Sequence, residues 1–136
     1  GGDGLKLLGV TVLTSLSAAE VAEAWGRDRV SAEDEVARLA RLAEGAGLDG
    51  VVASVAELPV IRAATGGGFR VLTPGIRLAG DAAGDQSRVA TPGEAARLGA
   101  DYVVLGRSVT AAADPRAALR RAIRELDEAA SQPIAG

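Results

Sequence analysis

Cysteine and histidine are both missing from the 136 residues. Without cysteine the chain has no disulfide, no thiolate nucleophile and no thiolate metal site. Without histidine it lacks imidazole acid–base chemistry and the commonest metal ligand. Aromatic residues are nearly missing, with one each of Trp, Tyr and Phe. A core must therefore be filled by alanine, valine and leucine, which suits helices packed closely on a sheet. No apolar run approaches the ~20 residues of a membrane span and no signal peptide opens the chain, so a cytoplasmic protein is expected. A net charge of −3 with scattered arginines indicates neither a nucleic-acid groove nor a membrane surface. Methionine is absent as well, and the chain starts Gly1-Gly2-Asp3-Gly4, which leads us to expect a segment of a longer protein.

What is present alternates. Leu7–Leu13 is a continuous apolar run with β-branched residues, the pattern of a parallel strand buried on both faces. Ser17 and Glu20 have capping-box spacing and open a short helix to about Trp25, which reads as an anchor on the exterior of the fold. Ser31 and Asp34 repeat that spacing before a longer helix. In it Val36, Leu39, Ala40 and Ala43 recur at helical spacing, and Gly45 and Gly47 mark its end. Gly50–Ala53 is a second buried strand. A helix follows from about Glu57 to Thr65, with Pro59 tolerable only in its first turn.

Phe69–Leu72 is the third strand. Thr91, Pro92 and Glu94 supply an N-cap, an N1 proline and an N3 glutamate for a brief helix that stops at Gly99. Asp101–Leu105 is the fourth strand, and Asp114-Pro115 caps a last helix to about Ala130 with Leu119, Ile123 and Leu126 inward. Four βα units of this length allow an open flavodoxin-like sheet or half of an eight-stranded βα barrel, whose usual ~250 residues are about twice this chain. The opening at a strand and the missing initiator favour the half barrel.

The stretch around which the rest is organised runs from Arg70 to Thr110. It holds two short aliphatic runs, each with an arginine just past its carboxyl end. In α/β folds ligands gather at the carboxyl ends of strands, and barrel enzymes often hold phosphate with the loops after their last two strands. Arg77 and Arg107 are the candidates for such a pocket.

These residues carry a resemblance. Val10-Thr-Val-Leu-Thr14-Ser15, Gly47-Leu-Asp-Gly-Val-Val52, Thr73-Pro-Gly-Ile-Arg77, Gly84-Asp-Gln86, Thr91-Pro92 and Asp101-Tyr-Val-Val-Leu-Gly-Arg107-Ser-Val-Thr110 resemble, in order and spacing, the second half of orotidine 5'-phosphate decarboxylase. The resemblance covers essentially the whole chain. It implies an α/β fold, the second half of a TIM (β/α)8 barrel with four parallel βα units as strands five to eight. The 1–136 segment would then be the C-terminal half of a single-domain enzyme, without its N-terminal half.

The same resemblance implies roles for matching positions. Arg107 looks like the residue that grips the 5'-phosphate of a nucleotide, since a planar guanidinium presents paired donors to phosphate oxygens. Gly106 would let the backbone approach and offer its N–H. Gln86 is similar to the glutamine of the family's closing loop, and Arg77 to a substrate-binding arginine at the base of that loop. Thr14 matches a hydroxyl that hydrogen-bonds the pyrimidine, and Pro74 an apolar wall near the reacting carboxylate. For Arg77 the alternative is pairing with Asp81 or Asp85, and for Thr14 capping of the following turn. Asp49, Asp101 and Glu57 read as ordinary loop or capping groups.

The chemistry so implied is cofactor-free and uses no metal. Orotidine 5'-phosphate loses CO2 to give uridine 5'-phosphate, through a carbanion protonated by a lysine in an aspartate–lysine network, one aspartate crossing a homodimer interface. That network belongs to the first half barrel. Lys6 is the sole lysine here, and at ~3.3 Å per residue it lies roughly 26 Å from Thr14, at the wrong end of the first strand. The segment is therefore expected to bind and not to turn over. Two other readings stay open: a different phosphate-handling barrel such as a sugar-phosphate synthase, and a non-catalytic half-barrel module that pairs with itself or with a partner half.

Overall fold

A computed structural model describes residues 4–11, 32–78 and 90–132. Strand β1 (Leu8–Val10) is followed, within these residues, by helix α1 (Ala32–Gly45) and strand β2 (Gly50–Val52). Next come a 3-10 turn (Val55–Glu57), helix α2 (Leu58–Ala64), strand β3 (Arg70–Ile76), helix α3 (Pro92–Arg97), strand β4 (Tyr102–Leu105), a one-turn helix α4 (Arg107–Thr110) and helix α5 (Pro115–Ala130). The helix expected from Ser17 to Trp25, with its proposed anchor, lies outside the described residues, as do Val12 and Leu13 of the first expected strand.

The helix ends follow from local chemistry. Thr91 Oγ1 accepts from the Glu94 N–H at 3.2 Å, while Glu94 Oε2 accepts from the Thr91 N–H at 3.1 Å, so the box satisfies two orphan donors of α3. Asp114 Oδ1 accepts from the Ala117 N–H at 3.1 Å, and Pro115 occupies the first position of α5. Glu57 Oε2 accepts from the Ser54 N–H at 3.1 Å, a capping role as expected.

The strands form one parallel sheet in the order β1-β2-β3-β4. That order decides between the two architectures. A flavodoxin-like sheet reverses direction at a switch point and carries helices on both faces. Here the strands add in sequence, as in a singly wound barrel wall. Val36, Ala40 and Ala43 of α1 and Leu58 and Ile61 of α2 pack on Val51 and Val71 of the sheet, and α3 packs on α5.

The opposite face is less buried among the described residues. One paired row, Val10, Val52, Leu72 and Tyr102, crosses all four strands; its outer members Val10 and Tyr102 are 59% and 47% exposed. Burial of the first strand on both faces is thus corrected: Val10 is exposed, and among the described residues the core lies on one side of the sheet. The last helix also departs from expectation. Ala122 and Ala129 are its buried residues, while Leu119 and Ile123 are each 47% exposed. The described neighbours of α5 are the short helices α3 and α4, too small to cover more than a narrow alanine stripe.

The third strand runs to Ile76, four residues past the expected Leu72. A bulge at Pro74-Gly75 lets the ladder absorb a proline that would otherwise end it.

Candidate functional site

Strands β3 and β4 are neighbours and parallel, so their carboxyl ends lie side by side. Arg77 follows the first and Gly106-Arg107 the second. Together with Gly75, Ile76, Val104 and Ser108 they line one cleft of about 200 Å³. Ligand pockets run to roughly 300–1,000 Å³, so the cleft suits the anionic end of a ligand better than a whole nucleotide. Two arginines, Arg77 and Arg107, are among its lining residues.

The frame of the cleft is hydrogen-bonded. The Arg77 N–H donates to the Ala90 carbonyl at 2.9 Å, and the Leu78 N–H reaches Ser108 Oγ at 3.4 Å. On the β4 side the Gly106 carbonyl accepts from the Val109 and Thr110 N–H groups at 3.0 and 3.1 Å and from Thr110 Oγ1 at 3.3 Å. The one-turn helix α4 is the result, and the sequence pattern does not announce it. Among the described residues no carboxylate pairs with Arg107. An arginine at a sheet mouth without a protein counter-charge is well placed to meet an anion.

Of the six site residues expected from sequence, the structure brings Arg77, Gly106 and Arg107 to this cleft. Pro74 sits beside them, half-buried on the β3 bulge. Thr14 and Gln86 lie outside the described residues, as do Asp81 and Asp85, the alternative partners of Arg77. At Gly106 an added Cβ would meet no heavy atom within 4 Å. Gly106→Ala is therefore expected to shift the thermal midpoint by no more than about 4 °C. The same methyl, standing where a ligand would approach the backbone, is expected to weaken binding of uridine 5'-phosphate severalfold in a calorimetric titration.

Asp101 is the residue that sequence reading undervalued. Its Oδ2 accepts from Arg62 Nη2 at 2.6 Å and from the Val71 N–H at 2.9 Å, and its Oδ1 from Arg70 Nη1 at 3.1 Å. Burial alone would push this carboxyl up. The Val71 N–H and the two guanidinium groups outweigh that and hold it below the usual carboxylate range. Arg62 in turn donates to the carbonyls of Phe69, at 2.6 Å, and Gly99. All of this lies at the amino ends of β3 and β4, opposite the cleft, where barrels keep structural rather than catalytic groups. Asp49 behaves similarly at β1. Its carboxylate accepts the Leu7 N–H at 2.8 Å and lies 3.8 Å from Lys6, which lowers its pKa.

Residues 2–122 match the family described as orotidine 5'-phosphate decarboxylase / HUMPS. The chain is 48% identical over 128 residues to an orotidine 5'-phosphate decarboxylase of Methylobacterium sp. (strain 4-46), covering 94% of this chain and 53% of that protein. It is 53% identical over 119 residues to the enzyme of the same name from Anaeromyxobacter sp. (strain K), covering 88% and 52%. The crystal structure of orotidine 5'-phosphate decarboxylase from Lactobacillus acidophilus superposes with a TM-score of 0.76 at 35% identity, over 93% of this chain and 51% of that one. The Pyrococcus horikoshii OT3 structure, at 19% identity and a TM-score of 0.63, supports the fold alone. The chain spans about half the length of the curated relatives it matches, and its four βα units are half of a TIM barrel.

Proposed function

The chain belongs to the orotidine 5'-phosphate decarboxylase / HUMPS family, and from that premise we propose that it carries the phosphate- and pyrimidine-binding side of a site that converts orotidine 5'-phosphate to uridine 5'-phosphate and CO2. The observation that carries this reading is the pair Arg77 and Arg107, with Gly106, around one cleft at the carboxyl ends of neighbouring strands. Arg107 and the Gly106 backbone hold the 5'-phosphate, and Arg77 assists from the next strand. Thr14 and Gln86 act on the pyrimidine and over the phosphate, and Pro74 walls the reacting end.

Contacts to a phosphate remote from the reacting carbon supply binding energy that can be used to order the site and exclude water. The protonation step needs an ammonium donor beside the carbanion. Lys6, the sole lysine, precedes β1 and sits by Asp49 at the opposite end of the sheet. The aspartate–lysine network is thus assigned to another part of the full enzyme, a homodimer of the cytoplasm in this reading.

The purified 136-residue chain is expected to bind uridine 5'-phosphate saturably, with inorganic phosphate competing, and to consume no orotidine 5'-phosphate in a spectrophotometric assay. Turnover by the chain alone would overturn the assignment of proton transfer elsewhere. Failure to bind uridine 5'-phosphate would overturn the site itself. Stronger binding of a pentulose phosphate than of uridine 5'-phosphate would favour the sugar-phosphate reading.

A further inference from the structure

The aim of Arg77 depends on one extra residue in β3. Thr73 pairs with Val103 and Ile76 pairs with Leu105, so three steps along β3 match two along β4. The insertion falls at Pro74-Gly75, and Gly75 has φ +74, a conformation that glycine adopts freely and other residues resist. Side chains in a strand alternate between faces. Val71 and Thr73 are buried on the helix side, and beyond the insertion the buried residues are Ile76 and Leu78.

Had β3 alternated without a break, residues 75 and 77 would have followed Val71 and Thr73 into the helix layer. The guanidinium of Arg77 would then point into an apolar core. With the extra residue, Ile76 takes the buried place in the alternation, at 2% exposure, and Arg77 falls on the other side, where it joins the cleft lining. Bulges beside functional sites commonly re-aim a side chain in this way.

We propose that Gly75 is a positioning residue for the anion cleft, the left-handed link that turns Arg77 from the helix side to the ligand side. The proposal rests on the reading of the cleft as a nucleotide-phosphate site and adds a residue that acts through Arg77. Two ties hold the re-aimed segment: the Arg77 N–H on the Ala90 carbonyl at 2.9 Å and the Leu78 N–H on Ser108 Oγ at 3.4 Å.

The test is a double-mutant cycle on the full chain, read as the Kd for uridine 5'-phosphate by titration calorimetry. Arg77→Ala alone is expected to weaken binding about tenfold, the loss of a charge-assisted contact. Gly75→Ala is expected to weaken it about fivefold when Arg77 is present and less than about twofold in the Arg77→Ala background, because residues acting as a unit are not additive. A methyl that merely crowded the cleft would cost the same in both backgrounds. That result, with Arg77→Ala itself weakening binding, would overturn the positioning role and leave the cleft assignment standing. No effect of Arg77→Ala would overturn the ligand role of Arg77 and the positioning role with it. If Gly75→Ala does not fold, Gly75→Asn is used in the same cycle, since asparagine tolerates positive φ, and the same comparison decides.

Discussion

Arg107→Ala is expected to weaken uridine 5'-phosphate binding by about a hundredfold, the size of loss that follows when a bidentate guanidinium is taken from a phosphate. Binding of uridine, which lacks the phosphate, should be unchanged, and the difference between the two ligands is the measurement that matters. Arg107 is exposed and pairs with no carboxylate among the described residues, so the thermal midpoint should hardly move. Arg107→Lys should recover part of the affinity and not all, because an ammonium supplies charge without the planar fork. Equal losses for the nucleoside and the nucleotide would show that Arg107 does not act on the phosphate.

Asp101→Ala should do the reverse. It is expected to destabilise the fold by about 2–3 kcal/mol in chemical denaturation, since it leaves Arg62, Arg70 and the Val71 N–H without their common acceptor. The side chain is only 22% exposed, so water replaces those bonds poorly. Its effect on uridine 5'-phosphate affinity in the folded state should be small, because the network and the cleft lie at opposite ends of β3 and β4. The acid dependence has a defined sign. A carboxyl whose pKa is lowered on folding contributes stability that is present above its unfolded value of about 4 and lost as pH falls through its folded value. Asp101→Asn should therefore be less stable than the parent at neutral pH, and the gap should close progressively below about pH 4. A gap that stays constant between pH 7 and pH 2 would mean that the charge of Asp101 is not what stabilises the network.

In the proposed reading, ligand binding and stability separate along the strands. Arginine serves both ends, and its neighbours decide the role. Arg62 and Arg70 meet the Asp101 carboxylate and become structural; Arg77 and Arg107 line the cleft at the other end. Sequence reading found the second pair because each follows an aliphatic run directly. It passed over Asp101 because the partners of that carboxylate lie 39 and 31 residues earlier, and no local pattern links them.

Local interactions were legible for the same reason that distant ones were not. The caps at Thr91 and Asp114, the proline starts and the helical spacing of Val36, Ala40 and Ala43 are set by residues within one or two turns, so the chain alone determined where these helices lie and in what order strands and helices alternate. The motifs around Thr73 and Gly106 likewise pointed to the family. Strand order, the exposure of Val10 and Tyr102, the alanine rather than leucine stripe of α5, the insertion at Gly75 that aims Arg77 and the arginine clamp on Asp101 were decided by tertiary structure. Each is a contact between elements far apart in the chain, and which of two faces a side chain takes depends on what packs there.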